Sequence, residues 1–153
     1  MHWLEHRIPP PVIAAVAALI AWLAARVVAP NETAGPIVLV VGILFAVAGL
    51  VTAALGVRSF RRAGTTLNPH KPADASSLVE SGIYRHTRNP MYLGLALVLT
   101  GWAIGLASAT ALVGPVFFLV WITRFQIIPE ERVLARKFGP SFDAYRRRVR
   151  RWI

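Results

Sequence analysis

The chain contains no cysteine. That excludes disulfides, cysteine nucleophiles, thiolate metal sites and S-palmitoylation, and it leaves the redox compartment open. Acidic residues are scarce: 7 Asp and Glu stand against 17 Lys and Arg, a formal net charge of +10. A nucleotide-binding glycine loop, a serine-triad motif and a metal signature are also missing. His70 and His86 are isolated and not at ligand spacing, so each reads as an interfacial histidine and no metal is expected.

What is present is apolar. The 153 residues are 56% hydrophobic with a mean hydropathy of +0.54, too apolar for an ordinary soluble domain of this length. The length suits one domain, 1–153. Four apolar runs, at about 11–29, 35–57, 91–107 and 110–128, are long enough to cross a bilayer as helices. The first reads as a span and not as a secretory signal, because it follows Pro9-Pro10-Pro11, is too long and continues through Arg26. In the second, Gly35, Gly42, Gly49 and Gly56 recur every seven residues and make a ridge of small residues for close helix packing. Runs three and four are expected to form a hairpin through a tight turn at Ser108-Ala109, with a kink at Pro115. The fold class is therefore all-α and polytopic: about four transmembrane helices, a polar loop 58–90 and a tail 130–153.

Charge orients the spans. Loop 58–90 holds six Lys/Arg and the tail eight, whereas 30–34 and 108–109 hold none. The positive-inside rule then puts both termini and the long loop in the cytoplasm. Beside apolar runs, this basicity points to anionic lipid headgroups and not to nucleic acid. In the tail, Phe142, Tyr145, Val149 and Trp152 form one face among arginines 146, 147, 148, 150 and 151, which predicts a basic amphipathic helix lying on the membrane surface.

Two polar stretches interrupt this pattern where chemistry at a membrane edge would sit. In Leu78–Gly94, Arg85, His86, Arg88 and Asn89 crowd against the start of the third span, with Pro90 in its first turn and Tyr92 just inside. The free N–H groups there, with Arg88, suit a carboxylate; a snorkelling basic cluster that only fixes topology is the plainer reading of the same composition. Glu130 and Glu131 follow the fourth span and Pro129. One carboxylate could pair with a cofactor ammonium or sulfonium, since adjacent helical residues point about 100° apart and at most one is expected to face inward. Equally, both could only favour a helix start.

These residues resemble the isoprenylcysteine carboxyl methyltransferase family of integral-membrane methyltransferases and its bacterial relatives, which border on the phospholipid methyltransferases. The matching pieces are Gly82-x-Tyr84, Arg88-Asn89-Pro90-Met91-Tyr92-Leu93-Gly94, Glu130-Glu131, Phe138-Gly139, Tyr145 and Arg148-Val149. The resemblance implies a multi-pass enzyme of a bacterial-type inner membrane that uses S-adenosyl-L-methionine (AdoMet) without a soluble Rossmann domain. It implies that Leu78, Val79, Tyr84, Asn89, Pro90, Met91 and Tyr92 line the cofactor and that Glu130 holds its amino group, with Ser76 and Ser77 at the start of the first contacting segment. Arg88 is added here, on its charge, as the partner of the cofactor carboxylate. Two departures stand out. Asn89 replaces the family's histidine before the proline, and Gln126 occupies the spacing at which the prenylcysteine enzymes carry an arginine for the substrate carboxylate, the nearest arginine here being Arg124. The second disfavours a prenylcysteine carboxylate as substrate. Candidates for work at the acceptor are Arg124, Gln126, Glu131 and His86. The partners expected are membrane lipids and a lipophilic or lipid-like acceptor; the methylated atom and the oligomeric state stay open. The alternative is a non-enzymatic membrane module that binds anionic lipid or a protein partner.

Overall fold

Four of the helices begin with a proline at their first position, where the missing N–H has no partner to lose. They are α1 (Pro10–Val28), α2 (Pro36–Arg62), α3 (Pro90–Gly105) and, near the end, α6 (Pro140–Arg148). Between α3 and α6 the chain forms a 3-10 turn (Ala109–Leu112), α4 (Val113–Ile122), a π-helical turn (Thr123–Ile127) and α5 (Ile128–Phe138). The computed structural model describes residues 5, 8–28, 33–64 and 77–153. Helices Pro10–Val28 and Pro36–Arg62 and the continuous helical stretch Ala109–Phe138 are long and apolar enough to span a membrane; Pro90–Gly105 is apolar but shorter. The protein is a polytopic all-α membrane protein, and no strand occurs among the described residues.

Helix α3 is central. One side carries α2; the other meets α1 and α4. The contact with α2 is close because both backbones are bare where they cross. A Cβ placed on Gly49 would lie 2.5 Å from the Gly94 carbonyl oxygen and 2.8 Å from Val98 N, and one on Gly42 would lie 2.8 Å from the Gly101 oxygen. Gly42, Gly49 and Gly56 of the ridge thus pack within the bundle, whereas a Cβ on Gly35 would meet nothing within 4 Å. Away from α3, α2 presents Ile37, Val40, Ile43, Leu44 and Leu50 outward, as a lipid-facing helix does. On the other side, Ile13, Ala17, Tyr92, Ala96, Leu99, Phe118, Ile122 and Ile127 form the core. Trp102 Nε1 donates to the Ala18 carbonyl at 3.1 Å and Thr110 Oγ1 to that of Ala24 at 3.1 Å, which ties the hairpin to α1.

Several details differ from the sequence reading. The second helix runs to Arg62, past Val57. The hairpin turn passes through Ala107 in the left-handed region (φ 53). Pro115 lies in the first turn of α4, after the 3-10 turn, where no kink is needed. The fourth helix does not end before Pro129. Pro129 cannot donate to Phe125 and its ring would crowd that carbonyl; the wider π turn immediately before it absorbs the fault, and helix continues to Phe138. The tail is corrected too. Helix α6 stops at Arg148, and Phe142, Tyr145 and Val149 are 2%, 3% and 8% exposed, packed with Leu78, Leu134 and Phe138. Its apolar face covers protein and not lipid. The corner at Gly139 (φ 49) turns α6 back onto the 78–85 segment. His70 and Ser76 lie outside the described residues.

Candidate functional site

The 3-10 turn Gly82–Arg85 sits against the end of α2. Gly82 (φ 63) leaves room for the Ser59 hydroxyl, which a Cβ would meet at 2.8 Å, and the Tyr84 ring packs edge-on to Phe60 at 5.3 Å. From the other side, Tyr145 Oη donates to the Tyr84 carbonyl at 2.9 Å. Burial raises the pKa of both phenols above the usual tyrosine value, so both are neutral at physiological pH. Tyr145→Phe will leave that buried carbonyl unsatisfied, at a cost of about 1–3 kcal/mol. Faster amide hydrogen exchange through 82–86, with the bundle helices unchanged, is the expected readout.

Between the 78–85 segment and α6 lies a cleft of about 680 Å³, lined by Leu78, Val79, Tyr145, Arg148 and Val149 among others. That volume is in the range of small-molecule sites. Arg148 pairs with Glu80 across it.

Next to the cleft is a charged cluster. Arg151 grips Glu131 with both arms of its guanidinium, Nε to Oε1 at 3.1 Å and Nη2 to Oε2 at 2.7 Å. Arg88 approaches the same carboxylate from the other side, Nη1 to Oε1 at 3.3 Å. The Arg88 side chain is only 10% exposed, and its Nε and Nη1 have no hydrogen-bond partner among the described residues. Burial lowers its pKa, opposed by Glu131, while the bonds to Glu131 raise that of Arg151. Ser77 Oγ is likewise buried without a partner.

One residue away in sequence, Glu130 faces a different set. Its Oε1 accepts from Tyr92 Oη at 2.6 Å and from Gln126 Nε2 at 2.8 Å. The π turn makes this possible by bringing Gln126 and Ile127 both to buried positions at successive residues. So both acids of the pair are engaged inside the protein, where the helical angle led us to expect at most one. Opposite neighbours, Tyr92 and Arg88, receive them on the facing segment.

The other expected residues separate. Leu78 and Val79 are on the cleft wall. Pro90 and Met91 lie against α2 at Gly56. The Asn89 side-chain amide donates to the Arg151 carbonyl at 3.0 Å. His86 is exposed. Arg124, with its side chain 47% exposed, pairs with Glu5 at 3.7 Å. Sequence reasoning missed Thr87, Arg151 and Trp152. Nothing in the run of tail arginines distinguishes Arg151 from its neighbours; the one usable signal was Trp152, an aromatic closing a basic run, which packs against the core around Tyr92.

The arrangement fits a zwitterionic ligand: guanidinium donors without a hydrogen bond for an anion, a carboxylate that forms no ion pair among the described residues for an ammonium, and a cleft beside them. Comparison with known proteins agrees in kind. The family model described as phospholipid methyltransferase matches residues 37–141. A Haemophilus influenzae protein, described only as uncharacterized, is 41% identical over 63 residues, which is 41% of this chain and all of that protein. No solved structure matches.

Proposed function

Since the chain belongs to the phospholipid methyltransferase family, and so is a membrane methyltransferase, we propose that it uses AdoMet and methylates a lipophilic or lipid-like acceptor at the cytoplasmic face of the membrane. The observation that carries this reading is that the fold brings two oppositely charged groups to facing segments: Arg88 meets Glu131, and Tyr92, one turn on, bonds Glu130. Arg88 keeps buried donors without a hydrogen bond beside Glu131, and Glu130 holds a carboxylate with hydrogen-bond donors and, among the described residues, no ion pair. An α-amino acid end needs both. In this reading Arg88 holds the cofactor carboxylate and Glu130 its ammonium, with Leu78, Val79 and Tyr145 around the remainder.

AdoMet, when bound, supplies a methyl group on a sulfonium. The chain's own contribution is then position and dryness. In this reading Leu78, Val79, Tyr145 and Val149 form the apolar part of the cleft wall against which the cofactor would pack, opposite the polar rim of Glu80 and Arg148. In this reading the acceptor reaches the site laterally from the bilayer, and the positive charge of the loop and tail supports a cytoplasmic cleft with both termini on that side. Among the acceptor candidates, Glu131 is engaged by two guanidinium groups, Arg124 by Glu5, and His86 faces outward, whereas Gln126 touches Glu130 directly. Gln126 is therefore the candidate in direct contact with the proposed ammonium seat.

The test is calorimetric titration of the full chain in lipid nanodiscs with S-adenosylhomocysteine, followed by transfer of labelled methyl from AdoMet to membrane lipid. Saturable binding and labelled lipid are expected. A folded sample that binds neither compound makes the chain a non-enzymatic module.

A further inference from the structure

We propose that Arg151 is a positioning residue that keeps Arg88 open as a seat for a monoanionic carboxylate. This rests on the cofactor reading above and deepens it. Glu131 is the only carboxylate shown in contact with Arg88 among the described residues, and a carboxylate facing a guanidinium normally closes onto it with two parallel bonds. Here that forked geometry goes to Arg151, with both Glu131 oxygens engaged at 3.1 and 2.7 Å. Arg88 is left with one oblique ion-pair approach, Nη1 at 3.3 Å, that makes no hydrogen bond, and with Nε buried and without a partner among the described residues. Two guanidinium groups against one carboxylate leave this cluster with a net charge of +1. It can take one anionic group and no more without becoming negative.

The backbone holds Arg151 in that role. Arg88 N donates to the Arg150 carbonyl at 3.0 Å, and the Arg151 carbonyl accepts from Thr87 Oγ1 at 3.3 Å and Asn89 Nδ2 at 3.0 Å. The segment after α6 is thus fastened on both sides of Arg88. Arg151 itself is directed at Glu131 and acts on the ligand through it. Removing the Arg151 guanidinium frees Glu131 to turn fully onto Arg88, which fills the seat from within.

The experiment uses the full chain in nanodiscs and two ligands that differ only at the amino-acid end: S-adenosylhomocysteine, and methylthioadenosine, which lacks the carboxylate and ammonium. Arg151→Ala should weaken S-adenosylhomocysteine by about 10-fold or more, the size of one charge-assisted contact, and leave methylthioadenosine unchanged. Arg151→Ala combined with Glu131→Gln should recover most of the lost affinity, because the internal competitor is gone. A purely structural strap predicts the opposite, with the double variant worse than the single. Equal loss for both ligands, or no recovery in the double variant, overturns the seat while leaving the cofactor reading intact. Absence of S-adenosylhomocysteine binding in the unaltered protein overturns the cofactor reading and the seat with it.

Discussion

Glu130→Gln will weaken S-adenosylhomocysteine binding by about 10–100-fold while leaving the protein folded. The substitution is chosen because Glu130 has two jobs. Its Oε1 accepts hydrogen bonds from Tyr92 and Gln126 at 2.6 and 2.8 Å, and an amide oxygen can accept both. What glutamine removes is the charge that would meet the cofactor ammonium. Glu130→Ala removes both functions. It leaves the Tyr92 hydroxyl without this acceptor in a core lined by Ile122 and Ile127, at about 1–3 kcal/mol for a buried unsatisfied group, and takes one contact from Gln126. We expect the alanine variant to bind no ligand and to unfold earlier, and the glutamine variant to separate the two effects. Calorimetry for affinity and unfolding monitored by tryptophan fluorescence for stability read them independently. If the glutamine variant binds like the unaltered chain, Glu130 is a structural acceptor only and the ammonium lies elsewhere.

The second large effect is expected far from any charge. Gly49→Leu will detach α2 from α3. A Cβ alone would stand 2.5 Å from the Gly94 carbonyl oxygen and 2.8 Å from Val98 N, both backbone atoms of a central helix that cannot swing aside. Overpacking of this kind commonly costs about 1–3 kcal/mol and occasionally more. Here the cost has nowhere to be shared. Among the described residues, helix α2 makes its extensive contact with α3 and a smaller one with the 82–85 turn. Losing the helix also removes Phe60 from the Tyr84 ring and Gly56 from Pro90 and Met91, so the cleft wall is disturbed together with the fold. Loss of a monodisperse folded species, and of ligand binding with it, is the expected result. Leu50→Ile, one residue on at a position 63% exposed, is the matched control and should change neither. A stable, ligand-binding Gly49→Leu variant would show that α2 is free to shift and that the small-residue ridge is not its anchor.

Composition and spacing determined a good deal. Four apolar runs with basic flanks leave few alternatives to a helical membrane protein, because backbone groups in hydrocarbon must be satisfied within their own segment. The seven-residue recurrence of Gly35, Gly42, Gly49 and Gly56 pointed to a close helix contact, which the last three make and Gly35 does not. The motif order from Gly82 to Val149 was enough to indicate the family, since it depends on residue identity and order in the chain.

The tertiary structure decided which polar groups meet. Sequence could set Glu130 and Glu131 side by side but not send one to Tyr92 and the other to Arg88 and Arg151, because that division depends on the facing segment and on the π turn that Pro129 requires. It could show an apolar stripe on the tail but not what the stripe covers. A stripe of Phe142, Tyr145 and Val149 fits a membrane surface and a protein groove equally well, and only the corner at Gly139 turns it inward onto Leu78. The arginines of the tail were alike in the sequence for the same reason. Charge and position along the chain are local properties, whereas the bond from Arg151 to Glu131, twenty residues back, exists only once the chain has folded over itself.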